Sequence, residues 1–128
     1  MAAGLGEVAG ERVTLGALLE GELVGAVTLA RNPALKQRHK ASIYAVYVAP
    51  AARGQQVGER LLAALMSWAR AVPGLLQVHL GVSVTQTAAR RLYAAQGFTV
   101  YGLERRALRV NGQDVDEEHM VCFLDGEK

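Results

Sequence analysis

Residues 46–62 read VYVAPAARGQQVGERLL, and the fold turns on how this stretch is taken. An apolar run closes at Pro50, a glycine-flanked turn RGQQVG follows at residues 53–58, and Val57, Leu61, Ala64, Leu65, Trp68 and Val72 then recur at helical spacing. The stretch is a strand–turn–helix joint. A turn that leads straight into a helix can hold an anion, because the first N–H groups of the helix lack internal acceptors and its dipole favours negative charge there. Two common phosphate fingerprints do not account for it. A P-loop requires lysine and a hydroxyl residue after its last glycine, where Glu59 and Arg60 stand. A dinucleotide fingerprint requires three glycines, and only Gly54 and Gly58 are present. The residues alone leave two readings open: an anion cradle, with glycines that permit close approach and Arg53 at its entrance, or a plain strand-to-helix join.

Working outward, Val13, Leu15, Ala17 and Leu19 alternate as a half-buried strand does, Glu20-Gly21 offers a tight turn, and residues 23–30 read as the return strand. Asn32-Pro33 breaks that strand and opens a loop made basic by Arg31, Lys36, Arg38 and Lys40, read as solvated. Residues 43–48 are nearly continuous in apolar and aromatic side chains, which predicts a strand covered on both faces. Beyond the first helix, which Pro73-Gly74 ends, LLQVHLGV at 75–82 predicts a strand with Leu76, Val78, Leu80 and Val82 on one face. TQTAARRLYAAQG predicts a second helix, capped by Thr85 or Thr87 and terminated by Gly97. Strand returns at Phe98, Asn111-Gly112 is a strong hairpin signal, and residues 119–124 form the last strand. The order β-β-β-α-β-α-β-β predicts an α/β protein with a mixed sheet.

The chain has 128 residues, 51% of them apolar, which suits one domain with one core and argues against disorder. A formal net charge of +2 is too small to argue for nucleic acid, and the basic loop lacks interleaved aromatics, so a nucleic-acid-binding domain is the weakest reading. Cys122 is the single cysteine, so no internal disulfide forms; it is expected to be buried and inert. MAAGLGEVAG has neither a basic start nor a long apolar stretch, and no run is long enough to span a bilayer. A soluble cytoplasmic protein follows as the expectation, with residues 1–10 a flexible lead and 11–128 a single domain. No His, Cys and carboxylate grouping has convincing metal spacing, so no metal is expected.

Two motifs together carry a resemblance. Arg53, Gln56 and Gly58 stand at the places of the acyl-CoA-binding motif of the GNAT superfamily of N-acetyltransferases. LGVSVTQTAARRLYAAQGF, residues 80–98, resembles the second motif of that family, with Leu92, Tyr93, Gly97 and Phe98 matching. The tail with RVNGQD resembles the closing hairpin of small bacterial members. The resemblance implies a GNAT-like acyltransferase fold and an acetyl-CoA-dependent N-acetyltransferase, acting on the primary amine of a small molecule or peptide. It implies a cofactor lying between the strand ending near Val48 and the strand ending near Val82, with Val46, Tyr47 and Val48 along it. The pyrophosphate would then meet N–H groups of Arg53, Gly54, Gln55, Gln56, Val57, Gly58 and Glu59. Gln86 stands where an asparagine often holds the cofactor arm. Tyr93 becomes the general acid to the CoA thiolate, since a tyrosine of pKa about 10 is protonated at neutral pH and can donate. The Val48 N–H becomes an oxyanion donor. His39 and Tyr44 are candidates for base or acceptor contact, and His79 reads as structural. His119 beside Asp116, Glu117 and Glu118 reads as part of a solvated hairpin that could attract an amine.

The chain departs from the pattern at Gln56, where glycine is usual, and at Gln86. Little sequence precedes the first hairpin, whereas the family begins with a strand and two helices that wall the acceptor pocket; the fold is therefore expected to be shortened at its N-terminus. That departure keeps a non-catalytic CoA-binding or dimerisation module as the alternative. A homodimer is expected.

Overall fold

The computed structural model describes residues 2–9, 12–54 and 56–125. Nine principal elements follow in order: β1 (Ala2–Ala9), β2 (Arg12–Leu19), β3 (Glu22–Arg31), β4 (Lys40–Val48), α1 (Val57–Arg70), β5 (Gln77–Ser83), α2 (Thr87–Ala95), β6 (Thr99–Val110) and β7 (Gln113–Phe123). The seven strands form one sheet in the order β1-β2-β3-β4-β5-β7-β6. Every neighbouring pair is antiparallel except β4 and β5, which run parallel because α1 carries the chain back between them.

The two hairpins form for the reason their sequences give. Glu20 and Gly21 have φ of 52° and 84°, and Asn111 and Gly112 have 51° and 78°, so both two-residue turns are left-handed at both positions and match the twist of their strands. One core lies on the helical side of the sheet. Val13, Leu15 and Ala17 of β2, Val27 and Leu29 of β3, and Val78, Leu80 and Val82 of β5 are buried with Leu61, Leu65 and Met66 of α1. Gly25 of β3 lets α1 come close: a Cβ there would lie 2.9 Å from both Leu61 and Val57 side chains. The two helices touch through Gly58 and Leu92 on that same side. The second face of the sheet carries no helix among the described residues.

Four expectations are corrected. Residues 2–9 are a strand, not a flexible lead, and β1 pairs along β2 from Ala2 opposite Leu18 to Ala9 opposite Arg12. Alanine and glycine have little strand preference of their own, so this strand is owed to the hydrogen-bonding edge that β2 offers it. The strand at 43–48 is covered on one face only: Tyr44, Val46 and Tyr47 are all exposed. β5 begins at Gln77, and Leu76 is an exposed connector whose N–H donates to the His39 carbonyl. At α2 the cap position is Gln86, not Thr85 or Thr87, and it makes no side-chain cap bond.

Candidate active site

The site begins with a failure of pairing. β4 and β5 are paired only at Lys40–Gln77, Ala41–Val78 and Ser42–His79. Beyond Ser42 and His79 the strands part, and a notch opens between them. A bulge in β4 sits where they part. Ala26 faces Tyr47 and Thr28 faces Tyr44, so Ala45 and Val46 together oppose the single residue Val27. An extra residue bends the strand and increases its local twist, which swings the rest of β4 away from β5.

The alternation of an antiparallel ladder tells where β4 directs its free backbone groups. The Ala49 N–H donates to the Val24 carbonyl at 2.7 Å, so the next pair, Gly25 and Val48, is a non-hydrogen-bonded one. The N–H and C=O of Val48 therefore turn away from β3, toward the notch. The Ala26–Tyr47 pair is the reciprocal hydrogen-bonded one, so the Tyr47 backbone is occupied by β3. Of the neighbours expected along the cofactor, Val48 offers its backbone, Val46 lines the notch with its side chain, and Tyr47 offers neither.

Past the notch, β4 leads into the turn before α1. Gly54 has φ of 85° and Gln56 has φ of 61°, both left-handed. Gln56 is the cap residue, exposed, and its side chain makes no cap bond. The first intrahelical bond runs from the Arg60 N–H to the Gln56 carbonyl at 3.0 Å. The N–H groups of Val57, Gly58 and Glu59 thus have no acceptor within the helix. Arg53 is exposed beside them, and Gln55 lies outside the described residues. The two glycines differ in their reasons. A Cβ on Gly54 would meet nothing within 4 Å, so Gly54 is needed for its backbone angle. A Cβ on Gly58 would lie 3.3 Å from Leu92 and 3.7 Å from Val48, so Gly58 is needed for the approach of the helices as well.

On the helical side, the notch is a groove of about 450 Å³ whose wall includes Val46, Val82, Gln86, Ala89 and Tyr93. Tyr93 is buried to 7% exposure, and its ring meets Phe98 edge-on at 6.1 Å. Its hydroxyl has no hydrogen-bond partner among the described residues, yet no buried side-chain oxygen is left unsatisfied there, so the hydroxyl opens on the groove. Burial raises the Tyr93 pKa above the ordinary 10.0, which keeps the proton on the oxygen.

On the second face, a groove of about 590 Å³ holds Lys40, His79, Tyr101 and His119. Tyr44, Gly81 and Glu117 belong to both grooves and form the passage between them. A bulge in β6 at Tyr101 turns that ring toward His79, 5.6 Å away and edge-on. His79 shares its Nε2 with Gln77 at 2.9 Å, and burial, then the charges of Lys40 and His39, lower its pKa from 6.5. His119 Nε2 lies 2.9 Å from Glu104 Oε1 and 3.7 Å from Glu117 Oε1. The candidate ligand atoms of these three lie within 4.8 Å of one another; the His119 Nε2–H donates to Glu104, and Glu117 lies beyond hydrogen-bond distance of it.

The structure brings Tyr93, Tyr44, Val46 and Gln86 to the notch, with the turn at its end. It leaves His39 at the paired end of β4, where its carbonyl accepts from Leu76 at 2.8 Å and Gln77 at 3.0 Å. His79 and His119, read as a structural residue and a solvated one, line the second groove instead. Sequence reading passed over the passage itself: Glu117 over Gly81. The signal was Gly81, a glycine inside a strand, which marks a close approach. Cys122 is buried, its thiol pKa raised by that burial against a smaller opposing effect of Arg70.

A mixed seven-stranded sheet parted at one parallel pair, with a glycine turn and a helix tyrosine at the gap, is the architecture of a family of acyltransferases. The Acetyltransferase (GNAT) family model matches residues 5–98, and the chain belongs to that family. It is similar to N-alpha-acetyltransferase RimI of Mycobacterium tuberculosis, 37% identical over 103 residues, which are 78% of this chain and 60% of that protein. The chain thus spans less than two thirds of that curated relative. Among solved structures it resembles a ribosomal-protein-alanine N-acetyltransferase from Brucella melitensis, at 29% identity and a TM-score of 0.79 over 88% of this chain and 68% of the other. It also resembles yncA of Salmonella typhimurium, solved with its cofactor acetyl-CoA, at 25% identity and a TM-score of 0.82 over 91% and 67% of the two chains. No helix among the described residues is long and apolar enough to cross a membrane.

Proposed function

We propose that this chain is an acetyl-CoA-dependent N-acetyltransferase whose acceptor is a primary amine. The observation that carries the reading is the notch: Tyr93, whose hydroxyl has no partner among the described residues, lines its groove with Val46 of the unpaired strand edge, and Val48 at the end of that edge lies against Gly58 of the uncapped helix start. The donor set fits acetyl-CoA. The free Val48 backbone suits the amide-bearing arm, and the N–H groups of residues 57–59 with Arg53 suit the pyrophosphate. Gln56 takes the left-handed backbone that a glycine takes readily, with its side chain exposed and free of any cap bond to those N–H groups.

Bound acetyl-CoA supplies an activated acetyl thioester, whose carbonyl carbon gains a bond to nitrogen as its bond to sulfur breaks. The Val48 N–H holds the developing oxyanion. The Tyr93 hydroxyl would give its proton to the departing sulfur, while the new amide nitrogen sheds one N–H proton to solvent and the tyrosine oxygen regains one from it; burial ensures that the proton is there to give. Gln86, at the start of α2, borders the arm. The relative named as an N-alpha-acetyltransferase supports a peptide α-amine as the acceptor, reached from the second face through the passage at Tyr44. A homodimer in the cytoplasm completes the proposal, and sedimentation of the purified chain tests its first half.

The test has two arms. Acetyl-CoA added to the protein should raise its melting temperature, since a ligand that binds only the folded form at 100 times its Kd adds about 2.7 kcal/mol. A thiol-release assay over alkylamines, polyamines and alanine-starting peptides should then show turnover. A shift without turnover on any amine selects a CoA-binding module; no shift removes both readings.

A further inference from the structure

We propose that Glu117 is the catalytic carboxylate that receives the acceptor's ammonium group and takes its proton, and that Gly81 is the positioning residue that lets it do so. The inference rests on the acetyl-transfer reading above and names the proton acceptor that reading lacks.

Three acids stand in a row on β7, and the structure treats them differently. The Asp116 carboxylate accepts the Arg106 N–H at 2.9 Å. The Glu118 carboxylate, on the helical side, binds Arg90 at 2.7 Å. Glu117 points to the second face and meets no lysine or arginine at ion-pair distance among the described residues. Its one ionic neighbour there is His119, at 3.7 Å.

Its position is set by a missing side chain. A Cβ on Gly81 would lie 2.6 Å from Glu117 Oε1 and 2.8 Å from its Cδ, closer than such atoms come in real structures. The Glu117 carboxylate therefore fills the space that any side chain at residue 81 would take, in the passage that joins the two grooves. An acceptor entering from the second face meets it just before the groove that holds Tyr93.

The chemistry follows. A primary amine is an ammonium ion near neutral pH and has no lone pair for attack. A Glu117 oxygen forms an O–H bond as one N–H bond of the ammonium breaks, and the electron pair stays on nitrogen. The carboxyl group then returns that proton to solvent, so the residue ends as it began. His119, the ladder partner of Gly81, anchors its Nε2–H on Glu104 at 2.9 Å and lies 3.7 Å from Glu117.

The experiment compares the wild-type chain with Glu117→Gln, Glu117→Ala, Gly81→Ala and the Gly81→Ala, Glu117→Ala double variant. Thiol release is measured with the fastest amine of the panel, and acetyl-CoA affinity by titration. Binding of n-butylamine is followed separately, with no cofactor present. Glu117→Gln is expected to lower kcat by about 100-fold or more, the lower range for loss of a general base, with unchanged acetyl-CoA affinity. It is also expected to weaken n-butylamine binding at least tenfold. Gly81→Ala should lower kcat in the wild-type background and have little further effect in Glu117→Ala, because it acts only by displacing Glu117. A Glu117→Gln variant with wild-type turnover or wild-type amine binding overturns the inference while acetyl transfer stands. Equal effects of Gly81→Ala in both backgrounds overturn the role of Gly81. A wild-type chain with no turnover on any amine overturns the inference together with the reading beneath it.

Discussion

Along β4, residues 40–42 bond to β5 and residues 43–48 do not. The paired half is ordinary sheet: Ala41 is buried against the helices, and Ser42 faces His79 across the ladder. The parted half contains a bulge and exposes Tyr44, Val46 and Tyr47, and its Val48 backbone faces away from β3 with no strand of the described residues to bond. One strand thus serves as scaffold over its first three residues and, in the proposed function, as binding edge over its last. The difference teaches that this site is made by withholding sheet structure at one place, beside a helix whose own first N–H groups are also withheld from capping.

The largest effect is expected in the parted half. Tyr93→Phe removes the proton donor and nothing else, so kcat should fall about 100-fold or more, roughly 2.7 kcal/mol of barrier, while acetyl-CoA affinity is kept. Steady-state thiol release with a parallel cofactor titration reads both, and an unchanged kcat strikes Tyr93 from the mechanism. The pH profile sharpens the point. Burial places the Tyr93 pKa above 10.0, so any decline in kcat from loss of its proton should be centred above pH 10. A fall centred below that value, absent from Tyr93→Phe, would show a tyrosine that burial does not hold.

A smaller effect is expected where the turn meets both helices. Gly58→Val puts a branched side chain where a Cβ already lies 3.3 Å from Leu92, and overpacking of this kind costs about 1–3 kcal/mol. Urea unfolding should show it, together with weaker acetyl-CoA binding. Gln56→Gly works in the opposite direction: relief of a left-handed non-glycine residue should stabilise the chain by about 1 kcal/mol. A midpoint that stays put or falls would mean that Gln56 contributes something its exposed side chain does not reveal.

The smallest effect belongs to the paired half. The His79 pKa is lowered in the folded chain, chiefly by burial, so the unfolded chain takes up the proton first as pH falls through 6.5. The stabilisation tied to neutral His79 is present above that pH and is lost on acidification. Melting temperature followed from pH 8 to pH 5 should therefore decline less in His79→Asn than in the wild type.

Much of this was legible in local sequence. The hairpins at Glu20-Gly21 and Asn111-Gly112, the helices and the order of their strands follow from turn chemistry and periodicity, which act over a few residues. Tyr93 and the turn at 53–58 were legible through the motif they share with a family. What escaped depends on contacts across the chain. β1 is a strand because β2 offers an edge, and nothing in AAGLGEVA announces that. The bulge at Ala45 and Val46 follows from register, so an apolar run that looked doubly buried is a half-open edge. Glu117 looked like one of three equivalent acids until the ladder set its neighbours apart, giving Arg90 to Glu118 and the space over Gly81 to Glu117.

The central claim is that the parted half of β4 and the start of α1 together hold acetyl-CoA, and titration of the isotope-labelled chain with CoA, followed through its backbone amide resonances, tests it most directly. The account predicts the largest shifts at Val48, Gly54, Val57, Gly58 and Glu59, with the amides of Ala41 and Val78 at the paired end nearly still. Shifts centred on the paired end or the outer strands, with residues 48 and 54–59 unmoved at saturation, would contradict it.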